Sequence, residues 1–509
     1  MAVRYHAGLR SHSRRSLLHA SGLESGPGRH ADAGSPDWKG HRPDEDAPSV
    51  ARLREAGAIP LVLTNVPELC MWGDAQNMLY GTTRNPHDTR RSPGGSSGGE
   101  GSLIAAAGSL MGLGTDIAGS VRIPAAYCGI FGHKATSGIV PNSGLLPDVG
   151  DGMRQYVCVG PMTRFSEDLP LLLNVLVDRE NSGLRLNEEV NLESLKLFFT
   201  ETEGCRYFSR VTNEAQQAVK KVTRHFHDTH GLQTHRLQIP ELQYVAITFN
   251  KVFTATDPER LVQLFSPGSR NTFVEMLRLL IGRGRHTLPV LLASKTATWF
   301  PFASPKEASK FLAKLERIRD RFEETLGDDG VLILPAATSV APFHNQDLLF
   351  IDAPSMTALF SIFKVPATVC PVTMQKTQNG TRLPLAVQVV AKRGNDRLCL
   401  AVAREIERTF GGCLVPGAMG RSIGRFHRGH RLRSAVRNIL RCNLGSLLIR
   451  GGKRRPHVLP VTADMLFLLT GVLEDLRPGG SDRRTHAAPL SRLRWALRHE
   501  GLLALAGAT

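Results

Sequence analysis

Serine is concentrated with glycine in two neighbouring segments of this 509-residue chain. The first reads Ser92-Pro-Gly-Gly-Ser-Ser-Gly-Gly-Glu-Gly101, and the second reads Gly112-Leu-Gly-Thr-Asp-Ile-Ala-Gly-Ser-Val-Arg-Ile-Pro124. A serine hydroxyl attacks a carbonyl carbon when a base takes its proton, and backbone N–H groups can stabilise the oxyanion that forms. Glycine on both sides lets the backbone come close to such a group. The two segments are therefore candidates for nucleophilic catalysis on an acyl group.

Three other interpretations fit the first segment less well. A phosphate-binding loop needs a lysine directly after its glycines, and none follows here. The string Gly94-x-Ser96-x-Gly98 matches a nucleophile elbow, but an elbow follows an apolar strand, and the preceding Asn85–Arg91 segment is polar. A flexible Gly/Ser linker is not usually followed at once by an Ala/Leu helix and a second Gly-Ser cluster.

The two segments resemble the amidase signature family. Its motif is Gly-Gly-Ser-Ser-Gly-Gly, followed downstream by Gly-x-Asp-x-Gly-Gly-Ser-x-Arg-x-Pro, and these stand here as Gly94–Gly99 and Gly114–Pro124. Within the family, the chain most resembles the second type of fatty-acid amide hydrolase. Further blocks keep the family's order: Thr64-Asn65 with Glu68, Tyr80-Gly81, Asn85-Pro86, Phe131–Lys134, Gly160–Arg164, Asp329–Pro335, Val365–Ala367 and Leu383–Gln388.

The resemblance implies a serine hydrolase of amide bonds, with a lipid amide as substrate and with no cofactor and no metal. In the family, the serine of the second cluster attacks the carbonyl, and this role falls on Ser120 rather than on Ser97. The first serine of the pair passes the proton from nucleophile to base beside a cis peptide bond, and this role falls on Ser96. The implied oxyanion donors are the backbone N–H groups of Ile117, Ala118, Gly119 and Ser120.

The lysine that serves this family as base has no match in the chain. It belongs to an upstream segment, Gly-x-Pro-x-x-x-Lys-Asp/Glu, that is not found before Ser96. One lysine, Lys39, does precede Ser96, but its neighbours are polar, which keeps an amine protonated near neutral pH. Lys134 belongs to another block of the family and does not replace the base. We therefore expect a hydrolase of the Ser-cisSer-Lys type that, as the chain is written, is either inactive or slower by at least about 10²-fold than one with the lysine segment.

Two other functions remain open. One is a non-catalytic protein that keeps the fold as a lipid-binding or scaffold module. The other is association with nucleic acid through the basic tail, where aromatic residues for base stacking are few. A further departure from the family is Ala118, which stands in place of a motif glycine, and a positive φ at this residue would disfavour alanine.

The elements that must position these serines follow an α/β rhythm. Ser49–Ala56 is typical of a helix, Gly57 ends it, and Ala58–Thr64 is typical of a buried strand. Similar pairs recur along the chain: Asn213–His230 with Leu232–Ile239, Pro305–Leu326 with Val331–Pro335, and Leu385–Ala391 with Asp396–Phe410. The pattern and the resemblance together imply the amidase signature fold, an α/β domain with a large, mixed, twisted β-sheet covered by helices.

The ends of the chain differ in composition from its middle. The net charge is +17, and 17 Lys and Arg stand against 5 acidic residues between Arg421 and Thr509. We interpret residues 1–45 as a disordered or unrelated leader, 46–418 as an amidase domain that lacks its N-terminal part, and 419–509 as a disordered basic tail. Neither a transmembrane segment nor a signal peptide is found, and no cysteine pair has Cys-x-x-Cys spacing. These features indicate an intracellular protein, cytoplasmic or peripheral to a membrane.

Two further segments have more than one interpretation. His225, His227 and His230 have a spacing that could bind a metal, but they also end a predicted helix, where histidine suits the helix dipole. Residues 273–292 combine apolar stretches with arginines. Core helices are one explanation, and peripheral membrane contact is the other.

Overall fold

The structure is a computed structural model that describes residues 17–20, 31–177, 183–201, 210–257, 263, 272–299, 304–346 and 353–413. All of these lie in Met1–Cys442, the first of two compact units into which the chain divides; the second is Asn443–Thr509. The predicted basic tail, 419–509, lies outside the described residues.

Within the described ranges, ten strands form one mixed sheet in the order β2-β1-β5-β7-β6-β11-β12-β10-β8-β9. Two short strands, β3 and β4, pair separately. The strands are β1 Leu17–Ala20, β2 Ile59–Leu63, β3 Gln76–Asn77, β4 Gly81–Thr82, β5 Met111–Asp116, β6 Phe131–Lys134, β7 Cys158–Thr163, β8 Lys196–Phe199, β9 Thr234–Arg236, β10 Gly330–Pro335, β11 Ala367–Lys376 and β12 Arg382–Ala391. The predicted α/β class with a large mixed sheet is confirmed.

The helices surround this sheet. They are α1 Pro48–Glu55, α2 Gly98–Ala105, α3 Arg122–Cys128, α4 Asp151–Arg154, α5 Asp168–Leu176, α6 Asn213–His230, α7 Val245–Thr256, α8 Thr272–Leu280, α9 Leu288–Trp299, α10 Pro305–Leu326, α11 Ala358–Ile362 and α12 Asp396–Phe410. Short 3-10 helices lie at Pro36–Trp38, Glu68–Cys70, Leu192–Ser194, Pro240–Tyr244 and Ala353–Met356. None of the described helices is long and apolar enough to cross a membrane.

Local sequence signals explain several of these boundaries. Gly231 ends α6 in a left-handed conformation at φ +68°, and Gly411 ends α12 at φ +91°. Ser304 and Glu307 form a reciprocal capping box at the start of α10. These helices therefore have the ends that the sequence predicts. The strand predicted at 232–239 is shorter, Thr234–Arg236, and pairs only with β8 at the edge of the sheet.

Apolar side chains fill both faces of the sheet. Along β10, Val331 and Ile333 join a core with α1, α5, α6 and α12, whereas Leu332 and Leu334 join a core with α7, α10 and α11. Successive side chains of a strand point to opposite faces, so a run of apolar residues indicates a strand that is buried on both sides. The sheet is thus held between two layers of helices.

The interpretation of residues 1–45 as a disordered leader is wrong for part of that segment. Leu17–Ala20 forms β1, which pairs in parallel with β2 and also with β5. Residues 31–35 are buried. Asp32 accepts a hydrogen bond from the Tyr80 hydroxyl, and the Ala33 carbonyl accepts one from the Leu69 N–H at 2.8 Å. The composition is misleading here because the contacts are made by the backbone and by one carboxylate rather than by apolar side chains.

Candidate active site

The loop that carries the first serine pair is anchored at several points. The Ser92 hydroxyl donates to Asp74 Oδ1 at 2.7 Å and accepts the Gly94 N–H at 3.0 Å. The Gly95–Ser96 peptide bond is cis, as the resemblance implies. Gly95 lies so close to the carbonyl oxygen of Trp72 that a Cβ atom would be 2.3 Å from it. Only glycine fits this position, which explains one of the glycines in the motif.

The second serine lies in the turn between β5 and α3, and a buried ion pair holds this turn. The Asp116 carboxylate accepts the Gly119 N–H at 2.8 Å and the Val121 N–H at 3.3 Å. The Arg122 guanidinium donates to both oxygens of Asp116, at 2.9 and 3.0 Å, and both side chains are fully buried. Burial alone would raise the pKa of Asp116, but the charge and hydrogen bonds of Arg122 hold it below its usual value.

Residues far along the chain complete the support of this turn. Arg122 donates to the Thr357 carbonyl and to the Ser361 hydroxyl, each at 2.8 Å. The Thr357 hydroxyl in turn donates to the Ala118 carbonyl. The turn is therefore fixed from both sides, by its own Asp116 and by the segment that leads into α11.

The backbone of the turn corrects two expectations. Ala118 does not have a positive φ; the left-handed residue is Gly119, at φ +130°, where a Cβ would be 2.1 Å from Thr357 Oγ1. Alanine at position 118 is thus compatible with the turn. In addition, the Gly119 N–H donates to Asp116, so it does not serve as an oxyanion donor in this structure. The candidate donors that remain are Ile117, Ala118 and Ser120.

The fold brings Ser96 and Ser120 to one groove of about 400 Å³, a volume that includes its open mouth. Ser96 is 2% exposed and Ser120 is half-buried. Ser97 is fully buried and does not line the groove, although its N–H donates to the Ser120 carbonyl at 3.1 Å. The other lining residues are Leu69, Cys70, Met71, Thr115, Ile117, Leu145, Leu146, Pro147, Val149 and Val157.

A general base is not found among the residues that line this groove. The lining thiol belongs to Cys70, and burial raises its pKa to about 12, so it stays protonated at neutral pH. Lys39 is exposed, and it does not line the groove. Lys134 is fully buried, its Nζ donates to the Ala135 carbonyl at 3.0 Å, and it does not line the groove. Among the described residues that line the groove, no side chain is therefore a candidate for the base.

Several supporting residues could not be assigned from the sequence. Asp116 and Arg122 stand inside the recognised motif, and their six-residue separation across a strand-to-helix turn was the available signal. Thr357 and Ser361 reach the turn from more than 230 positions along the chain. No local pattern marks them, because their roles depend on tertiary packing.

The histidine cluster lies at the end of α6, as predicted. Nε2 of His225 is 2.7 Å from Glu405 Oε1 in α12, and Nε2 of His230 is 3.3 Å from the same oxygen. Among the described residues these three could hold a metal ion. Arg408, however, donates to both oxygens of Glu405 at 2.6 and 2.7 Å, so a cation already balances this carboxylate.

Comparisons with known proteins identify the family of this chain. The amidase family model matches residues 28–400. Fatty-acid amide hydrolase 2 of Homo sapiens is 37% identical over 380 residues, which cover 73% of this chain and 70% of the human protein. Fatty-acid amide hydrolase 1 of Sus scrofa is 32% identical over 410 residues, which cover 71% of this chain and 70% of the Sus scrofa protein.

A solved structure shares the fold. The 6-aminohexanoate cyclic dimer hydrolase superposes with a TM-score of 0.65 at 23% identity, covering 79% of this chain and 86% of that chain. The family match begins at residue 28, inside the segment interpreted as a leader, and so agrees with the packing of residues 31–35. On the match over most of the chain, this protein belongs to the amidase family, the hydrolases of carbon–nitrogen amide bonds.

Proposed function

We propose that this chain acts on fatty-acid amides, with Ser120 as the nucleophile and Ser96 as the group that accepts its proton while passing its own to a base that is not among the described lining residues. One observation carries the proposal: Ser96 and Ser120 come from separate segments and line the same apolar groove. The nucleophile lies in a turn that the buried Asp116–Arg122 pair fixes. A turn held in place before the reaction can direct N–H donors at the oxyanion without reorganising.

The groove lining favours an acyl chain over a polar substituent. Leu69, Met71, Leu145, Val149 and Val157 contribute aliphatic or thioether surface beside the two serines. Each buried CH₂ group contributes about 0.8 kcal/mol to binding, so affinity should rise with chain length until the groove is filled. The relatives whose names specify fatty-acid amides support the same substrate class.

A chain-length series tests this proposal. Binding of primary amides from C4 to C18 would be measured by calorimetry with the full chain. The proposal predicts that the dissociation constant falls by roughly threefold to fourfold for each added CH₂ over part of the series. Equal affinity for the C4 and C18 amides would contradict it.

The absence of a base from the described groove lining favours a second candidate, a protein that binds lipid amides without turnover. The two candidates differ in one measurement, the release of ammonia from oleamide in the presence of the full chain. Ammonia release that Ser120→Ala abolishes supports the hydrolase. Saturable oleamide binding with no ammonia release supports the binding protein.

We also propose that α8 and α9 contact a membrane surface. Several apolar side chains of this helix pair are exposed, and Leu280 reaches 83%. The others are Phe273, Val274, Leu277 and Leu292, and Ile281 is exposed directly after α8. Arg283 is exposed beside them and suits anionic headgroups. Co-sedimentation with vesicles that contain phosphatidylserine tests this: Leu280→Asp with Ile281→Asp should abolish it, and unchanged sedimentation would contradict it.

A further inference from the structure

A buried carboxylate joins the helix pair α8–α9 to the groove. Glu68 is 1% exposed, and its Oε1 lies 2.6 Å from Nδ1 of His286. Its Oε2 accepts the N–H of Thr287 at 2.7 Å and the hydroxyl of Thr287 at 2.8 Å. Both oxygens are therefore bound by the two residues that directly precede α9. A negative charge at this end of a helix is also favoured by the helix dipole.

The residues that follow Glu68 form a wall of the groove in an unfavourable backbone conformation. Leu69 and Cys70 have φ of 57° and 56°, in the left-handed region that side chains disfavour by roughly 1–2 kcal/mol per residue. Both residues line the groove with Met71. Such a conformation persists only where the surroundings hold it. Glu68 supplies one such anchor immediately before the two residues.

The same segment continues to the serine loop. The Trp72 carbonyl lies directly against Gly95, the residue before Ser96. Two residues later, the Asp74 carboxylate accepts the hydroxyl of Ser92 at 2.7 Å. Seven consecutive residues, 68–74, thus run from the helix pair, along the groove wall, to the loop that carries Ser96.

We propose that Glu68 is a positioning residue of the active site, which fastens α9 to segment 68–74 and so sets the groove wall and the support of the Ser96 loop. The proposal deepens the proposed function and rests on it where it concerns the lipid amide. The connection between α9 and segment 68–74, which we call the joint, rests on the contacts of Glu68 alone.

The charges around His286 make this joint sensitive to pH. His286 faces Glu68, Asp37 at 3.7 Å and Glu275, while Arg285 lies 3.6 Å from Asp37. Burial alone would lower the pKa of His286, but the hydrogen bond and charge of Glu68, with the two other carboxylates, raise it above 6.5. The charged Glu68–His286 pair therefore contributes fully to stability below the ordinary pKa of histidine. This contribution is lost as pH rises through the raised pKa of His286.

Hydrogen exchange of the full chain tests the joint without any substrate. In Glu68→Gln, protection factors should fall roughly tenfold or more both in Leu288–Trp299 and in residues 69–75, because hydrogen bonds to a charged group are lost. The matched control is Glu275→Gln, which removes a buried carboxylate of α8 whose charge also acts on His286 but whose hydrogen bonds go to Arg278 and to the Arg285 N–H rather than to segment 68–74. It should affect the helix pair only. Unchanged protection of residues 69–75 in Glu68→Gln would overturn the proposal.

The pH profile separates positioning from a structural role. In the wild type, the oleamide affinity should fall severalfold between pH 6 and pH 9. His286→Asn keeps a donor near Nδ1 but does not titrate, so the difference between the two pH values should disappear while binding is retained. The same pH dependence in His286→Asn and the wild type would overturn the proposal. If oleamide does not bind at all, the proposed substrate class is wrong, and the hydrogen exchange result alone decides the joint.

Discussion

At the scale of single residues, the turn that carries Ser120 depends on two buried charges that neutralise each other. Asp116 and Arg122 are fully buried and share two hydrogen bonds. Removal of one partner leaves the other charge without compensation in a low-dielectric setting. The pair is therefore expected to have a larger effect on stability than an exposed pair with similar distances.

We predict that Arg122→Met lowers the free energy of unfolding by about 3–5 kcal/mol at pH 7. The pKa of Asp116 lies below its ordinary value in the wild type, so its contribution is present above the unfolded pKa and is lost as pH falls. In the variant, the charge and hydrogen bonds of Arg122 no longer oppose the effect of burial, so the pKa of that carboxyl should rise and its protonation should relieve part of the deficit as pH falls toward 4. Urea denaturation at the two pH values measures both effects.

The control for this variant is Arg90→Met. Arg90 pairs with Asp88 at 2.8 Å, but its side chain is exposed, so solvent screens the interaction. Its stability should stay close to that of the wild type at both pH values. An equal loss in the two variants would show that burial of the Asp116–Arg122 pair has no special importance.

Residue types and spacing predicted the two candidate serines, but not the distant residues that hold their loops in place. Ser96 and Ser120 were found in the motif, and the structure brings them to one groove. The partners Thr357 and Ser361 are ordinary residues of a distant segment, so no local signal identifies them. The expectation for Ala118 was wrong because a motif reveals that glycine is needed in a turn, but not which residue carries the positive φ.

At the scale of elements, α12 is attached to the sheet through the carboxylate at its start. Asp396 is fully buried in the first turn of α12. Its carboxylate accepts the N–H and the hydroxyl of Thr136, at 2.8 and 2.6 Å, and lies 3.1 Å from Nε2 of His133 in β6. Burial would raise the pKa of Asp396, but these contacts hold it below its ordinary value.

We predict that Asp396→Asn lowers the free energy of unfolding by about 1.5–3 kcal/mol at pH 7. A depressed pKa stabilises the fold above the unfolded value and ceases to do so as pH falls through the folded value. The difference from the wild type should therefore shrink toward pH 3. A denaturation series across pH measures this difference. The control is Asp328→Asn, because Asp328 pairs with Lys392 at 2.9 Å but its side chain is 79% exposed. A difference that stays constant across pH would contradict the conclusion that Asp396 is charged in the folded protein.

Helices were easier to predict than edge strands, and the reason is local. Gly231 and the Ser304–Glu307 capping box determine helix ends within a few residues of sequence. The strand β9 pairs with a single neighbour, and its length depends on β8 rather than on its own residues. The strand β1 escaped prediction because it is four residues long and lies in a polar segment.

At the scale of the whole molecule, the amidase domain begins earlier than its apolar pattern indicates. Residues 31–35 are buried, and the family match starts at residue 28. We predict that limited proteolysis yields a resistant core that starts before Ala31 and extends at least to Cys413. N-terminal sequencing and intact mass identify its ends. A core that starts near residue 46, or two stable fragments divided near Arg164, would contradict this.

The proposed mechanism depends most on which serine is the nucleophile. A long-chain fluorophosphonate reacts with an activated serine, and Ser92–Arg122 is one tryptic peptide that contains Ser96, Ser97 and Ser120, so fragmentation spectra must locate the label. N–H donors for the oxyanion and the positioning of the substrate give a serine some reactivity even where a base is lacking. The incubation with the probe is therefore long. We predict that the label lies on Ser120, persists in Ser97→Ala and disappears in Ser120→Ala. A label on another serine, or one that survives Ser120→Ala, would contradict the account.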